Sequence, residues 1–174
     1  MDPEGSEPDR SAWVFRFHLG EASVRGIGSF EVRRGQSRWA RILSALLRVP
    51  QAGSAVPVRV DIRRHGDREV WTRQLGRRVF VSRQRRLAGF VRERIGPLEL
   101  QFRVAAETDG VAYAQEKAAL CLGPLRLGLP RHLAPQVHAR AVARGARAFD
   151  VRVDVCAPQA EPLFSYWGTV EEAY

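Results

Sequence analysis

The sequence predicts a mainly β fold: an antiparallel β-barrel or strongly curved sheet of about ten or eleven strands, of the lipocalin or calycin type, with one amphipathic helix covering an end. Two observations favour this class. Short segments of alternating apolar and polar residues recur about every 8–12 residues, and glycine-containing turns separate nearly all of them. Only one stretch of the chain has convincing helical periodicity. A length of 174 residues suits a single domain of this kind.

The first part of the chain predicts a leader followed by two strands. Residues 1–10 are acidic and proline-rich and contain no apolar run, so we expect a disordered leader, with a single domain over residues 11–174. Residues 13–19 alternate between large apolar side chains and others, which predicts a strand. Residues 23–33 predict a second strand, in which Gly26 and Gly28 would allow a bulge or a close backbone approach.

The helical stretch spans residues 37–49. Ser37 is a suitable N-cap, and Pro50 ends the helix. Its apolar side chains form one stripe: Trp39, Ile42, Leu43, Leu46 and Leu47. A basic amphipathic helix can attach to a membrane surface, but a helix of about three turns is more typical of a lid packed over one end of a sheet.

The remaining strands follow at close intervals. They are predicted at residues 56–63, 68–74, 78–86, 90–95, 98–107, 111–119, 137–144, 147–157 and 163–170. Residues 123–135 are rich in proline and glycine and predict a loop or a short irregular helix.

One face of the sheet can be followed from strand to strand, because side chains alternate between faces and paired residues share a face. A two-residue turn at His65-Gly66 would pair Ile62 with Glu69. Further short turns, at Gly76-Arg77, Ala88-Gly89, Gly96-Pro97 and Asp109-Gly110, would carry the same face onward. The predicted inner face then contains apolar rows and seven polar side chains: Glu69, Arg73, Gln84, Glu93, Lys117, His138 and Arg140. Unpaired charges are costly in a filled core, so this mixture favours an interior cavity that holds water or a ligand.

Composition narrows the classes of partner. The net charge of +9 invites a nucleic-acid hypothesis, but 27 of the 28 basic residues are arginine, a bias typical of a GC-rich genome, and they are spread over most strands. Nucleic-acid binding through a basic surface is therefore a third alternative. Cys121 and Cys156 lack metal or redox spacing, which favours buried thiols in a reduced cytoplasm. No apolar run is long enough for a membrane span.

Several segments resemble a known family. They are GSFEVRRG at residues 28–35, EVWTRQLGRRVFVSRQ at 69–84, VRERIGPLELQFRV at 91–104, LRLGLPRHLAP at 125–135 and FDVRV at 149–153. Together they resemble the bacterial DUF4166 domain over nearly the whole chain after residue 20. The resemblance implies a bacterial, β-rich, one-domain protein and no defined activity. It places these residues in family motifs: Glu69, Trp71, Arg73, Phe80, Ser82, Glu93, Gly96, Pro97 and Arg140. Similar proteins tend to carry acidic residues where this chain has His138 and Ala141.

The sequence contains no metal-ligand spacing, nucleotide-binding loop or nucleophile elbow, so neither a metal nor a cofactor is expected. What remains is acid–base chemistry, with Glu69, Glu93, Arg73 and His138 as candidate catalytic residues. The candidate ligand-binding residues are Trp71, Phe80, Ser82, Gln84, Phe102, Tyr113, Lys117, Arg140 and Tyr166. Several of them also have a simpler explanation. Glu69 and Arg73 could form an inter-strand ion pair, and Lys117, His138 and Arg140 could be solvated.

Two functional hypotheses follow. The first is a binding protein of accessory or secondary-metabolite type, which encloses a small apolar or amphipathic organic molecule. The second is a cofactor-independent cyclase or isomerase that works by acid–base catalysis in the barrel cavity. The sequence leaves the ligand and the oligomeric state open, and a homodimer is possible.

Overall fold

The computed structural model describes residues 12–38, 40–41, 51–158 and 161–173. Helix α1 spans Trp13–Leu19. The strands are β1 (Val24–Arg34), β2 (Gly53–His65), β3 (Arg68–Leu75), β4 (Arg78–Leu87), β5 (Phe90–Ile95), β6 (Leu98–Ala106), β7 (Gly110–Leu122), β8 (Leu125–Leu129), β9 (Gln136–Ala143), β10 (Ala148–Cys156) and β11 (Pro162–Glu172). The predicted leader, residues 1–10, lies outside the described residues.

The strands form a closed antiparallel barrel, which confirms the predicted fold class. Strands β1 to β7 pair in chain order, β7 pairs with β9, and β9, β10 and β11 lead back to β1. Ten strands therefore close the wall. Strand β8 pairs with β7 beyond the β7–β9 contact and stands outside the ring. It lies within the stretch that the sequence predicts to be a loop.

The predicted inner face is largely correct, although one register is shifted. Arg64, not Ile62, pairs with Glu69, and Ile62 pairs with Trp71, because the turn consists of Gly66 and Asp67. The shift is two residues, so the face is preserved. The predicted pairs of β3, β4 and β5 are confirmed, including the row Glu69, Gln84 and Glu93.

Three of the seven predicted inward polar residues point the other way. A bulge between Gln101 and Phe102 shifts the register of β7, so Ala118 faces inward and Lys117 is exposed. In β9 the inner residues are Val137, Ala139, Ala141 and Ala143, which pair with the inner residues of β10. His138 and Arg140 therefore lie on the outer face, and the prediction that they face inward was wrong. The sequence misleads here because alanines are weak markers of a buried face.

Residues 13–19 form a helix, so the predicted first strand was wrong. Trp13, Val14, Phe15 and Phe17 are all buried, on more than one side of α1. A short run of apolar residues that is buried on several sides has no diagnostic periodicity. The helix packs against β7, β9 and β10 and closes one end of the barrel. At Gly26, an added Cβ would lie 3.0 Å from the Phe17 ring, so this glycine allows the predicted close approach.

The predicted helix at residues 37–49 falls mostly outside the described residues. Its start is described: the Ser37 hydroxyl accepts a hydrogen bond of 3.0 Å from the Ala40 N–H, as expected of an N-cap. Ala40 is buried against Val155, Ala157 and Leu163. Among the described residues, no helix is long and apolar enough to cross a membrane.

Two arginines hold the C-terminal end of α1. Arg64 donates to the carbonyls of Phe17 and Ala22, and Arg86 donates to those of His18, at 3.2 Å, and Leu19, at 2.8 Å. Carbonyls at a helix C-terminus lack helical partners and carry partial negative charge, so cationic donors satisfy them.

A single carboxylate is the shared counter-ion of both arginines. Glu69 accepts from Arg64 Nε at 3.0 Å and contacts Arg86 Nη2, and its second oxygen accepts from the Trp71 indole N–H at 2.6 Å. The side chains of Arg64 and Glu69 are each only 2% exposed. We call Arg64, Glu69 and Arg86 the helix clamp.

We expect Glu69→Gln to lower the free energy of unfolding by about 3–5 kcal/mol, because it leaves two arginines in a buried site without their counter-charge. Urea denaturation followed by circular dichroism measures this. The matched control is Asp61→Asn. Asp61 also bridges two arginines, Arg25 and Arg59, but its side chain is 28% exposed, so we expect a loss below about 1 kcal/mol. Equal losses in the two variants would contradict the clamp.

Candidate functional site

The barrel encloses two adjoining cavities. The first, of about 120 Å³, borders α1, and the second, of about 110 Å³, extends toward the opposite end of the barrel. They share these wall residues: Arg73, Leu75, Glu93, Phe102, Val137, Val153 and Tyr166. Since one water needs about 10–15 Å³ on the same scale, each cavity has room for several waters or for part of an organic molecule. The walls are mainly aliphatic and aromatic.

Phe17 and His18 of α1 form the floor of the first cavity. The Phe17 ring packs edge-on against Trp71, with 5.7 Å between ring centroids, and lies 5.0 Å from Phe149. The helix clamp sits directly beneath, because it binds the carbonyls of these two floor residues. The position of the floor therefore depends on the clamp.

Arg73 lies where the two cavities meet. Its Nη1 donates to Ser82 Oγ at 2.7 Å and to Glu93 Oε1 at 3.0 Å. Its guanidinium stacks 4.5 Å from the Trp71 centroid and 5.7 Å from that of Phe80. Within the described residues, neither Nε nor Nη2 has a protein acceptor. These N–H groups can donate to a guest molecule while Glu93 balances the charge.

Two further polar groups line the cavities. Gln84, in the first cavity, is buried between Glu69 and Glu93 along the cross-strand row. Its amide has no hydrogen-bond partner in the described part of the chain, so it can donate and accept. Tyr166 borders both cavities and stacks on Phe30 at 5.2 Å. Burial raises the pKa of its hydroxyl, which therefore remains protonated at neutral pH.

His18 and Tyr113 form a hydrogen-bonded pair on the wall of the first cavity. His18 Nδ1 lies 3.0 Å from the Tyr113 hydroxyl oxygen. The residue as a whole is half-buried, and its Nε2 is shielded and has no partner among the described residues. Burial, followed by the charges of Arg64, Arg73 and Arg86, lowers the pKa of His18 to about 3, so its imidazole is neutral at pH 7. Burial, together with the charges of Glu69 and Glu93, raises the pKa of the Tyr113 hydroxyl well above its usual range.

The structure brings most of the predicted site residues together. Seven line the first cavity with inward side chains: Trp71, Arg73, Gln84, Glu93, Phe102, Tyr113 and Tyr166. Phe80 borders the second cavity, and Ser82 is fully buried beneath Arg73. Glu69 is not a cavity-lining residue, because the helix clamp and Trp71 occupy its carboxylate.

Of the other three, two lie away from the cavities and one lies at the edge of the first cavity. Lys117 and His138 are exposed on the outer face. Arg140 belongs to the wall of the first cavity, but its guanidinium pairs with Glu107 at 2.8 Å and its side chain is 56% exposed. Lys117 and His138 therefore point away from the cavities, and the ligand-binding role of Arg140 stays a prediction.

Sequence reasoning missed His18, Arg64 and Arg86. His18 could not be placed while its segment was interpreted as a strand. Arg64 shares its face with the apolar residues Val58, Val60 and Ile62 of the same strand, and this parity could have marked it as buried. No group of histidine, cysteine, aspartate and glutamate side chains that could hold a metal ion occurs in the described ranges.

The closed wall, the helical floor and the few inward polar groups define a small β-barrel protein with an interior cavity. The chain belongs to the family described as Domain of unknown function (DUF4166), whose model matches residues 11–170. No curated protein matches the sequence. A solved structure from Nostoc punctiforme, a protein of unknown function from the DUF3598 family, is similar to it with a TM-score of 0.47 and 10% identity. The similarity covers 87% of this chain and 47% of that chain, so this chain spans about half the length of that protein.

The neutral state of His18 predicts a pH dependence of stability. The folded protein leaves His18 unprotonated down to about pH 3, whereas the unfolded chain protonates it near 6.5. In between, the unfolded state binds more protons, so stability decreases as the pH falls below 6.5, by at most about 1.4 kcal/mol per pH unit from this group. Urea denaturation from about pH 7 to about pH 5 should show a smaller decrease for His18→Gln than for the wild type.

His138→Gln is the control for the loss of one histidine, because its side chain is exposed on the outer face. It should retain the wild-type decrease. If His18→Gln retains it as well, His18 does not resist protonation in the fold.

Proposed function

We propose that the barrel binds one small, mainly apolar organic molecule in its two adjoining cavities. The observation that carries this is Arg73, which lines both largely apolar cavities and whose two hydrogen bonds to described residues, to Ser82 Oγ and Glu93 Oε1, both come from Nη1. Its remaining N–H groups are free to donate to water or to a ligand oxygen. Ligand sites typically combine apolar walls with a few such polar groups.

The charges around Arg73 indicate which polar group the ligand carries. Glu93, at 3.0 Å, already neutralises the guanidinium. A buried carboxylate on the ligand would add a second negative charge beside Glu93, and its desolvation would be only partly compensated. A carbonyl or hydroxyl oxygen avoids this penalty and can still accept from Nε or Nη2. The proposed ligand is therefore neutral, with an oxygen acceptor at Arg73 and an apolar body on either side.

A substitution that fills the first cavity tests the proposal. We expect Ala139→Phe to reduce binding of the neutral apolar fluorophore N-phenyl-1-naphthylamine at least about tenfold, because Ala139 lines the cavity and the phenyl ring would occupy it. The matched control, Ala114→Phe, adds the same ring on the outer face, where Ala114 is exposed, and should bind as the wild type does. Fluorescence titration measures both.

Native mass spectrometry of the freshly purified proteins provides a second measurement. Wild type and Ala114→Phe should retain the same small molecule, and Ala139→Phe should be free of it. If Ala139→Phe folds and binds the fluorophore as tightly as the wild type, the molecule does not occupy this cavity and the proposal is wrong.

The polar contact has its own test. We expect the double variant Arg73→Met/Glu93→Gln to bind a ligand with a carbonyl oxygen about 10- to 150-fold more weakly, since one hydrogen bond to a charged donor contributes about 1.5–3 kcal/mol. Removing both charges together avoids an unpaired buried ion. Two matched probes, a naphthyl ketone and the corresponding naphthyl alkane, separate the effects, and only the ketone should lose affinity. Equal losses for both probes would mean that Arg73 shapes the cavity without recognising an oxygen.

The second candidate, a cofactor-independent cyclase or isomerase, is favoured by the His18–Tyr113 pair. A phenol that is held by a neutral imidazole can donate a hydrogen bond to a carbonyl oxygen in the cavity. Tyr113→Phe distinguishes the two functions through the molecule retained by the protein. A binding protein retains the same molecule in both forms. A catalyst would retain an isomer in the variant that the wild type converts when the two are mixed, which chromatography detects.

A further inference from the structure

The outer surface of β2 to β5 carries a concentration of arginines that the cavity does not use. They form two adjacent rows across the strands, one through Arg68, Arg85 and Arg92 and the other through Arg63, Arg83 and Arg94. We call these six residues the arginine face. His65 continues the first row on β2, where it pairs with Arg68.

Like charges oppose one another within this face. Arg83 pairs directly with Arg94, and Arg85 lies between Arg68 and Arg92. Residues that are directly paired across strands have Cβ atoms about 4.5–5.5 Å apart, where like charges are destabilising. The fold does not require this arrangement, because any polar residue can occupy an exposed strand position. An arrangement that disfavours the free protein suggests an anionic partner.

The arginine face contrasts with the rest of the barrel surface. Elsewhere, more than half of the exposed arginines in the described ranges pair with carboxylates, as Arg152 does with Asp154 at 2.7 Å and Arg144 with Asp150 at 3.4 Å. On the arginine face, only two carboxylates of the described chain come within ion-pair distance: Asp67, 2.6 Å from Arg85, and Glu99, 3.7 Å from Arg92. Arg63, Arg68, Arg83 and Arg94 have no carboxylate partner in the same part of the chain. The face therefore carries six positive charges against two negative ones.

Exposed apolar side chains border these charges. Val79, Val81 and Leu87 stand on the same outer side of β4 as Arg83 and Arg85, and they are 50%, 45% and 37% exposed. The two valines flank Phe80, which faces inward and borders the second cavity. The valine end of the arginine face is thus apolar and lies beside the end of the barrel that α1 does not fill, whereas Leu87 lies at the opposite end of β4.

We propose that the arginine face docks the protein on an anionic lipid bilayer. Arginines near such a surface each strengthen binding about fivefold at low salt, and the valines and the leucine can contact the region between headgroups and acyl chains. A nucleic acid would explain the charge but not the three exposed aliphatic side chains. Nucleic-acid binding also favours aromatic stacking partners, and the aromatic ring at the edge of the face, Phe90, already has Arg103 over one of its sides at 5.4 Å. The docking proposal does not depend on the proposed ligand.

Vesicle flotation tests the docking. We expect the full-length protein to float with vesicles of phosphatidylcholine and phosphatidylglycerol, and to remain unbound with phosphatidylcholine alone. Arg83→Glu/Arg94→Glu should weaken binding to the anionic vesicles more than about tenfold. The control Arg144→Glu/Arg152→Glu makes the same change in net charge at arginines outside the face and should weaken binding less than about threefold. Circular dichroism establishes that both variants are folded.

A third variant addresses the apolar contribution. Val79→Ser/Val81→Ser leaves every charge in place and should weaken binding to anionic vesicles about threefold or more. This fold-change should persist at high salt, where the effect of the arginine substitutions decreases because electrostatic attraction is screened. If the two arginine double variants weaken binding equally, the effect depends only on net charge and the proposal is wrong. The proposal is also wrong if the wild-type protein does not bind anionic vesicles. Binding to duplex DNA that depends on Arg83 and Arg94, but not on the valines, would assign the face to nucleic acid instead.

Discussion

The helix clamp is the interaction on which the rest of the molecule depends. A barrel of ten strands has two open ends, and a seven-residue helix is too short to be stable by itself. Its apolar side chains fill one end, but its last carbonyls would be buried there without partners. Arg64 and Arg86 satisfy those carbonyls, and Glu69 makes it possible to bury two guanidinium groups. The clamp thereby turns an open tube into a cavity with a fixed floor.

The clamp also explains why alternate residues of one strand have different functions. Glu69, Trp71 and Arg73 share the inner face of β3, and successive members are about 7 Å apart along the strand. Glu69 lies at the level of the helix end, and its carboxylate is occupied by the contacts of the helix clamp. Trp71 donates to Glu69 and packs on Phe17, while Arg73 reaches the open part of the cavity. A motif that looks like one polar cluster in the sequence is therefore divided by depth into a structural part and a ligand-facing part.

The sequence predicted the barrel and much of the site, because the alternation of apolar and polar side chains is a local property of each strand. A shift in register by an even number of residues also leaves each side chain on the same face of the sheet. The pairing of β2 with β3 shifted by two residues, and Glu69, Trp71 and Arg73 still faced inward. Prediction failed where a single extra residue reversed the parity, as at Lys117, and where both parities were equally plausible, as at His138 and Arg140. The fate of Trp13–Leu19 depended on the barrel end that it fills, and no local pattern contains that information.

The charges of the molecule are distributed in a way that separates its interior from its surface. Inside, Arg73 is paired with Glu93, and the two arginines of the clamp share Glu69 and the helix carbonyls, so these five charged groups carry a net charge of only +1. The surplus behind the net charge of +9 must therefore lie mainly on the outside. There it is uneven, because most exposed arginines have a carboxylate neighbour and those of β2 to β5 largely do not. This distribution of charge suits a neutral apolar ligand in the cavity and an anionic bilayer at the outer surface. The proposed ligand and the proposed bilayer would both lie near the end of the barrel opposite α1, where Phe80 borders the second cavity and its neighbours Val79 and Val81 are exposed.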